Sequence, residues 1–221
     1  MKFIMYVKEI FNAKRIFRTL LFATLPALLF YAISFSILRG FDYKTMEIIR
    51  DFAQLMQESS FLGFLSSIGT WVWVSSAAIS FFAFNTGEFN TKNRHRELLF
   101  LLGMFSILLA IDDFFMIHDR YVDQKICYGT YMVLAIALLL RHFKLIIEVN
   151  GFAFFFAGTL LALSILTDLI QGHLPFRYSH IQIFEEGFKF VGAGTWLYFV
   201  SLVASYNSVS IVKKSKKEGN K

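Results

Sequence analysis

Residues 61–87 contain no Asp, Glu, Lys or Arg, and neither do 19–38, 98–111, 126–140, 149–167 and 190–212. Runs of about 20 apolar residues span the roughly 30 Å of bilayer hydrocarbon, whereas the helices of a water-facing globule alternate apolar stripes with polar faces. The expected fold class is therefore all-α: a polytopic integral membrane helix bundle. About six transmembrane helices are expected, near 19–38, 61–84, 98–118, 126–143, 151–171 and 183–204. A composition of 56% hydrophobic residues, with 28 Phe and 2 Pro, suits helices surrounded by lipid.

Between the first two spans, GFDYKTMEIIRDFAQLMQESS repeats Met46, Ile49, Phe52, Leu55 and Met56 at helical spacing, with charges interleaved. That pattern is too polar to cross and predicts an interfacial helix near 45–58. Three domains follow: a basic amphipathic N-terminus at 1–18, a single transmembrane domain at 19–204 and a Lys-rich tail at 205–221. No small-residue cleavage site follows the first apolar run of MKFIMYVKEIFNAKRIFR, so this segment is read as retained and not as a signal peptide.

The net charge of +6 has two readings, nucleic acid or membrane orientation. Position decides between them. Fifteen of the 22 Lys and Arg residues lie at the chain ends or in the 92–96 and 141–144 connections, and six lie in the alternate connections. By the positive-inside rule both termini are cytoplasmic, and a nucleic-acid role is excluded. The lone Cys127 has no partner for an internal disulfide or a thiolate metal site.

Five acids interrupt these apolar segments: Asp112 and Asp113 in LLAIDDFFMIHD, Asp168 in LALSILTDLI, and Glu185 and Glu186 in IQIFEEGFKFVG. A charge near the bilayer centre costs on the order of 3 kcal/mol, so such groups face a protein interior or a wet cavity. The expected topology carries all five toward the extracytoplasmic leaflet, with His118, Asp119, Asp123, His173 and His180 at the rim. Glu185 stands four residues before Lys189, the favourable order for an intrahelical pair, which leaves Glu186 without a local partner. Asp112 and Asp119 are seven apart and share one face, with Asp123 continuing it if the helix persists that far.

Two adjacent carboxylates in a low dielectric share a proton or meet a cation. With imidazoles beside them, a divalent metal is the expected cofactor: Zn, Mn or Fe, or Ca for an all-oxygen subset. The proposed ligands are Asp113, His118, Asp168, His173 and Glu186, and the catalytic groups are Asp112, as general base, and Glu186. The expected function is a metal-assisted membrane-embedded enzyme, of hydrolase type, acting on a lipid or other amphipathic substrate. Membrane lipids are its expected partners, with an oligomer left open. A proton or cation channel or transporter using the same acids is the alternative, as is a structural subunit whose acids pair with Lys189, Arg120 and Arg177. The hydroxyls of the second span, among them Ser66, Ser67 and Thr70, read as close-packing positions.

Overall fold

The computed structural model describes residues 17, 21, 24–49, 52–59, 61–86, 93–173, 175 and 177–218. Among these the chain is helical, without strands, and it divides at Leu62/Gly63 into two compact units, each taken by itself below. The membrane domain expected over 19–204 runs across this division.

In the first unit, α1 (Leu25–Gly40) has Pro26 in its first turn, where the missing N–H has no intrahelical partner to lose. Its 16 residues extend about 24 Å. Residues 19, 20, 22 and 23 of the span expected at 19–38 lie outside the described residues. Leu28, Phe30, Ile33 and Ile37 are all exposed, as suits a helix that meets lipid. The interfacial helix expected near 45–58 occurs as two short pieces, α2 (Thr45–Ile49) and α3 (Phe52–Met56). Glu47 caps the first by accepting from the Lys44 backbone N–H at 2.8 Å, and Gln57 leaves the second at φ 55°.

Among its described residues the second unit contains four helices long and apolar enough to cross a membrane: 64–86, 94–115, 124–170 and 178–206. They lie in α4 (Phe64–Thr86), α5 (Asn93–Phe115), α7 (Gln124–Ile170) and α8 (Tyr178–Glu218). Between α5 and α7 stands the short α6 (Ile117–Arg120). A straight helix of 47 residues would measure about 70 Å, more than twice the hydrocarbon thickness. Instead α7 breaks at His142 and Asn150, whose backbone angles are not helical. Asn150 Oδ1 accepts from the Ala153 N–H at 3.0 Å, so it caps the second arm as Asn does at a helix start. Tyr128, near one end of α7, bonds to Asp168, near the other. The segment is thus a hairpin, and its arms cover the spans expected at 126–143 and 151–171. At the far end α8 stays helical to Glu218, into the Lys-rich segment expected as a tail.

The core lies among α4, α5, α7 and α8. Leu98, Leu99, Leu102, Ile146, Phe199, Val200 and Val203 have no exposure, and Trp73, Phe154 and Trp196 are buried with them. Trp196 packs 5.4 Å from Phe105 and donates its indole N–H to Ser106 Oγ at 2.9 Å. Lipid tails are as apolar as these side chains, so close packing, not water exclusion, holds such helices together. Small residues make it possible. A Cβ on Gly103 would lie 2.8 Å from the Phe81 ring, and one on Gly192 would lie 3.0 Å from Leu161.

Candidate functional site

α5 ends, the α7 hairpin opens and closes, and α8 begins at one end of this second unit. That is where the five acids meet. Sequence neighbours Asp112 and Asp113 point to different faces of α5 and so join different groups.

Asp113 faces α4 and α8. Its Oδ1 lies 3.2 Å from Lys189 Nζ, and its Oδ2 accepts from Thr70 Oγ1 at 3.1 Å. Lys189 also bonds Glu186 Oε1 at 2.8 Å, so one ammonium bridges two carboxylates. This corrects the pairing expected for Lys189. Glu185 instead accepts from Gln182 Nε2 at 2.6 Å. The spacing i, i+3 brings a partner as near as i, i+4 does, and the ammonium takes the side on which a second carboxylate, Asp113, already stands. Gly69 of α4 borders the same carboxylate, and a Cβ there would make an ordinary contact, 3.9 Å from Oδ2. Around the bridge is a narrow cleft of about 10 Å³, room for about one water, lined by Leu65, Ser66, Gly69, Trp73, Phe190 and Ala193 together with the charged groups.

Asp112 faces α6 and α7. Met116 adopts a left-handed conformation, φ 52° and ψ 48°, at a cost of about 1–2 kcal/mol for a residue with a Cβ. The turn folds His118 back onto α5. Asp112 Oδ1 accepts from the His118 backbone N–H at 3.0 Å, and Oδ2 meets His118 Nδ1 at 2.7 Å. Because α5 stops there, Asp119 does not continue the Asp112 face; its Oδ1 is 3.5 Å from His118 Nε2. The hydrogen bond to Asp112 raises the His118 pKa above its ordinary value, with the Asp112 and Asp119 charges adding to it and burial opposing. Tyr131 and the buried Cys127 lie close to the same carboxylate.

Asp168 holds the third group. Its Oδ2 accepts from Tyr128 at 2.7 Å and from Gln124 Nε2, and its Oδ1 from Gln171 Nε2 at 2.7 Å. The Tyr128 ring is 5.5 Å from the His118 ring, which brings this group against the second one.

Of the expected metal ligands, Asp113 and Glu186 come together through Lys189, while His118 and Asp168 stand in the other two groups. The His173 side chain lies outside the described residues. Among the described residues no three of His, Cys, Asp and Glu are placed to hold a metal ion. The expected catalytic residues also separate, Asp112 to His118 and Glu186 to the cleft. Reading the sequence for ionisable groups missed the neutral donors Thr70, Gln124, Tyr128 and Gln171. The available signal was their depth, since each lies within two turns of a helix end at the acidic end of the bundle.

Fold and site together define an all-helical protein whose long apolar helices are compatible with a membrane, with a polar site at one end of its bundle. The chain belongs to the family described as Domain of unknown function (DUF8692), whose model matches residues 15–203. No curated protein and no solved structure matches it.

Proposed function

We propose that the chain crosses the membrane six times with both termini in the cytoplasm, and that its polar end is a membrane-embedded enzyme site in the extracytoplasmic leaflet. Its substrate is a lipid or another amphipathic molecule. The observation that carries this reading is the cleft at Lys189. An ammonium held by Asp113 and Glu186 forms one wall, and Leu65, Trp73, Phe190 and Ala193 form the rest. A molecule with a polar reacting group and apolar tails suits both. As it stands the cleft admits little more than one water, so the reacting group enters as the surrounding helices part and the tails stay in the bilayer.

Lys189 supplies positive charge to an oxygen that becomes negative in the transition state, and Glu186 exchanges a proton with the leaving group. Asp112 orients His118 through Nδ1, and in its neutral form the imidazole is the general base that takes a proton from water at Nε2. A divalent metal held by Asp113, His118, Asp168, His173 and Glu186 remains within the proposal. It requires Lys189 to release two carboxylates and Asp168 to release three donors.

A second reading, a proton or cation pathway, draws support from charge: five carboxylates share this end of the bundle with Lys189 and His118, an excess that attracts cations. Against it stands the packing of Leu98, Leu99, Leu102, Phe199, Val200 and Val203, none of which has exposure. Elemental analysis and proteoliposome assays separate the readings. Stoichiometric metal lost in Asp113→Ala and Glu186→Ala supports the metal-assisted form. Metal-free protein that turns over lipid supports the Lys189-centred form. Metal-free protein that carries protons and leaves lipid unchanged sinks the enzyme.

A further inference from the structure

His142 lies in the part of α7 remote from the acids, and the chemistry proposed above does not use it. It is 3% exposed, yet neither ring nitrogen has a hydrogen-bond partner among the described residues. An imidazole carries at least one N–H donor, and leaving such a group dry and unpaired is unfavourable. The residue also sits at a backbone break, φ −115° and ψ 18°, and not in regular helix.

Cations surround it. Arg141 donates Nε to Glu97 Oε1 at 2.5 Å, with the Arg141 side chain 64% exposed. Arg94 of α5 lies within Coulombic reach of the imidazole, as do Glu97 and Arg141. Beside these charges the surface is apolar: Phe100, Leu140, Phe143 and Ile147 are exposed.

We infer that this part of the bundle binds the phosphate of an anionic phospholipid from the adjoining leaflet. The phosphate displaces Glu97 from Arg141, is further neutralised by Arg94, and takes an N–H from His142 once the ring, enclosed in this structure, turns outward at its backbone break. Its acyl chains lie along Phe100, Leu140 and Phe143. Arg141 already holds an anionic oxygen. A phosphodiester offers the same charge with more acceptors for the guanidinium fork. The apolar border favours a lipid over free phosphate, which gains nothing from it. The inference rests on these helices crossing a membrane and is independent of the chemistry at the acidic end.

The test is native mass spectrometry of the full-length protein in detergent, titrated with phosphatidylglycerol, phosphatidylcholine or inorganic phosphate. About one phosphatidylglycerol per chain is retained in preference to phosphatidylcholine, and Arg141→Gln or His142→Phe weakens it about tenfold, a change of about 1.4 kcal/mol. Glu97→Gln strengthens retention by removing the competing carboxylate. That gain does not arise from misfolding, so it keeps the test decisive where His142→Phe fails to fold. Equal retention of the two lipids overturns the inference, as does retention unchanged in both Arg141→Gln and Glu97→Gln. Displacement of the lipid by equimolar inorganic phosphate overturns its assignment to lipid.

Discussion

Tyr128 donates its hydroxyl to Asp168 Oδ2 at 2.7 Å although 40 residues separate the two, and this bond joins the open ends of the α7 hairpin. Tyr128→Phe removes one of the three donors on Asp168 and leaves Gln124 and Gln171 in place. The expected loss is about 1 kcal/mol, or roughly 2–4 °C in the unfolding midpoint of the detergent-solubilised protein. An unchanged midpoint would mean that the bond does not hold the hairpin closed.

Lys189 is the ammonium between Asp113 and Glu186, and Asp113 is 10% exposed. Lys189→Met strands that carboxylate and is expected to destabilise by about 3 kcal/mol, the lower side of the range for breaking a buried pair, because Lys189 keeps some solvent contact. Adding Asp113→Asn removes the stranded charge and recovers part of the loss. Chemical unfolding of the single and double variants checks this. Equal stability of the two would refute the coupling.

Protonated His118 is stabilised by Asp112, so its folded pKa lies above the ordinary value near 6.5. A raised value means that the folded state holds the proton more tightly. The stabilisation is complete below the unfolded pKa and disappears as pH rises through the folded one. The stability advantage of the wild type over His118→Gln is therefore expected to be fullest below the ordinary imidazole value and to shrink over the interval above it as pH rises. Thermal unfolding across that interval tests the sign, and an advantage that grows with pH contradicts it.

Gly103 brings α5 against α4 under the Phe81 ring. Gly103→Ala drives a Cβ to 2.8 Å from that ring and is expected to destabilise by about 1–3 kcal/mol. Gly129 in α7 has open space where its Cβ would be, so Gly129→Ala is neutral or stabilising by up to about 1 kcal/mol. The contrast in unfolding midpoints between the two variants reads out the helix contact itself.

Apolar run length alone disclosed the helices of the second unit, because membrane thickness fixes how long an uncharged segment must be. The same thickness argument, with the 141–150 connection, separated the arms of a segment that is continuous helix apart from breaks at His142 and Asn150. Less legible was the direction of each polar side chain. Asp112 and Asp113 differ by about 100° around a helix, which sends them to separate partners. The left-handed Met116, which turns His118 onto Asp112, has no signature in LLAIDDFFMIHD. Lys189 was placed with Glu185 because local spacing was visible in the sequence, while the pull of Asp113 from another helix was not. Tyr128 and Gln124 escaped notice because neutral side chains announce no cost in an apolar segment.

The central claim is that the polar end transforms an amphipathic molecule on one side of the bilayer. The most direct measurement reconstitutes the purified protein in vesicles of a natural lipid extract and follows lipid composition by mass spectrometry, with vesicle pH recorded in parallel. The account predicts a lipid product that accumulates with the wild type and is lost in Asp112→Asn and Glu186→Gln, without collapse of an imposed pH gradient. Unchanged lipid together with collapse of that gradient would contradict it.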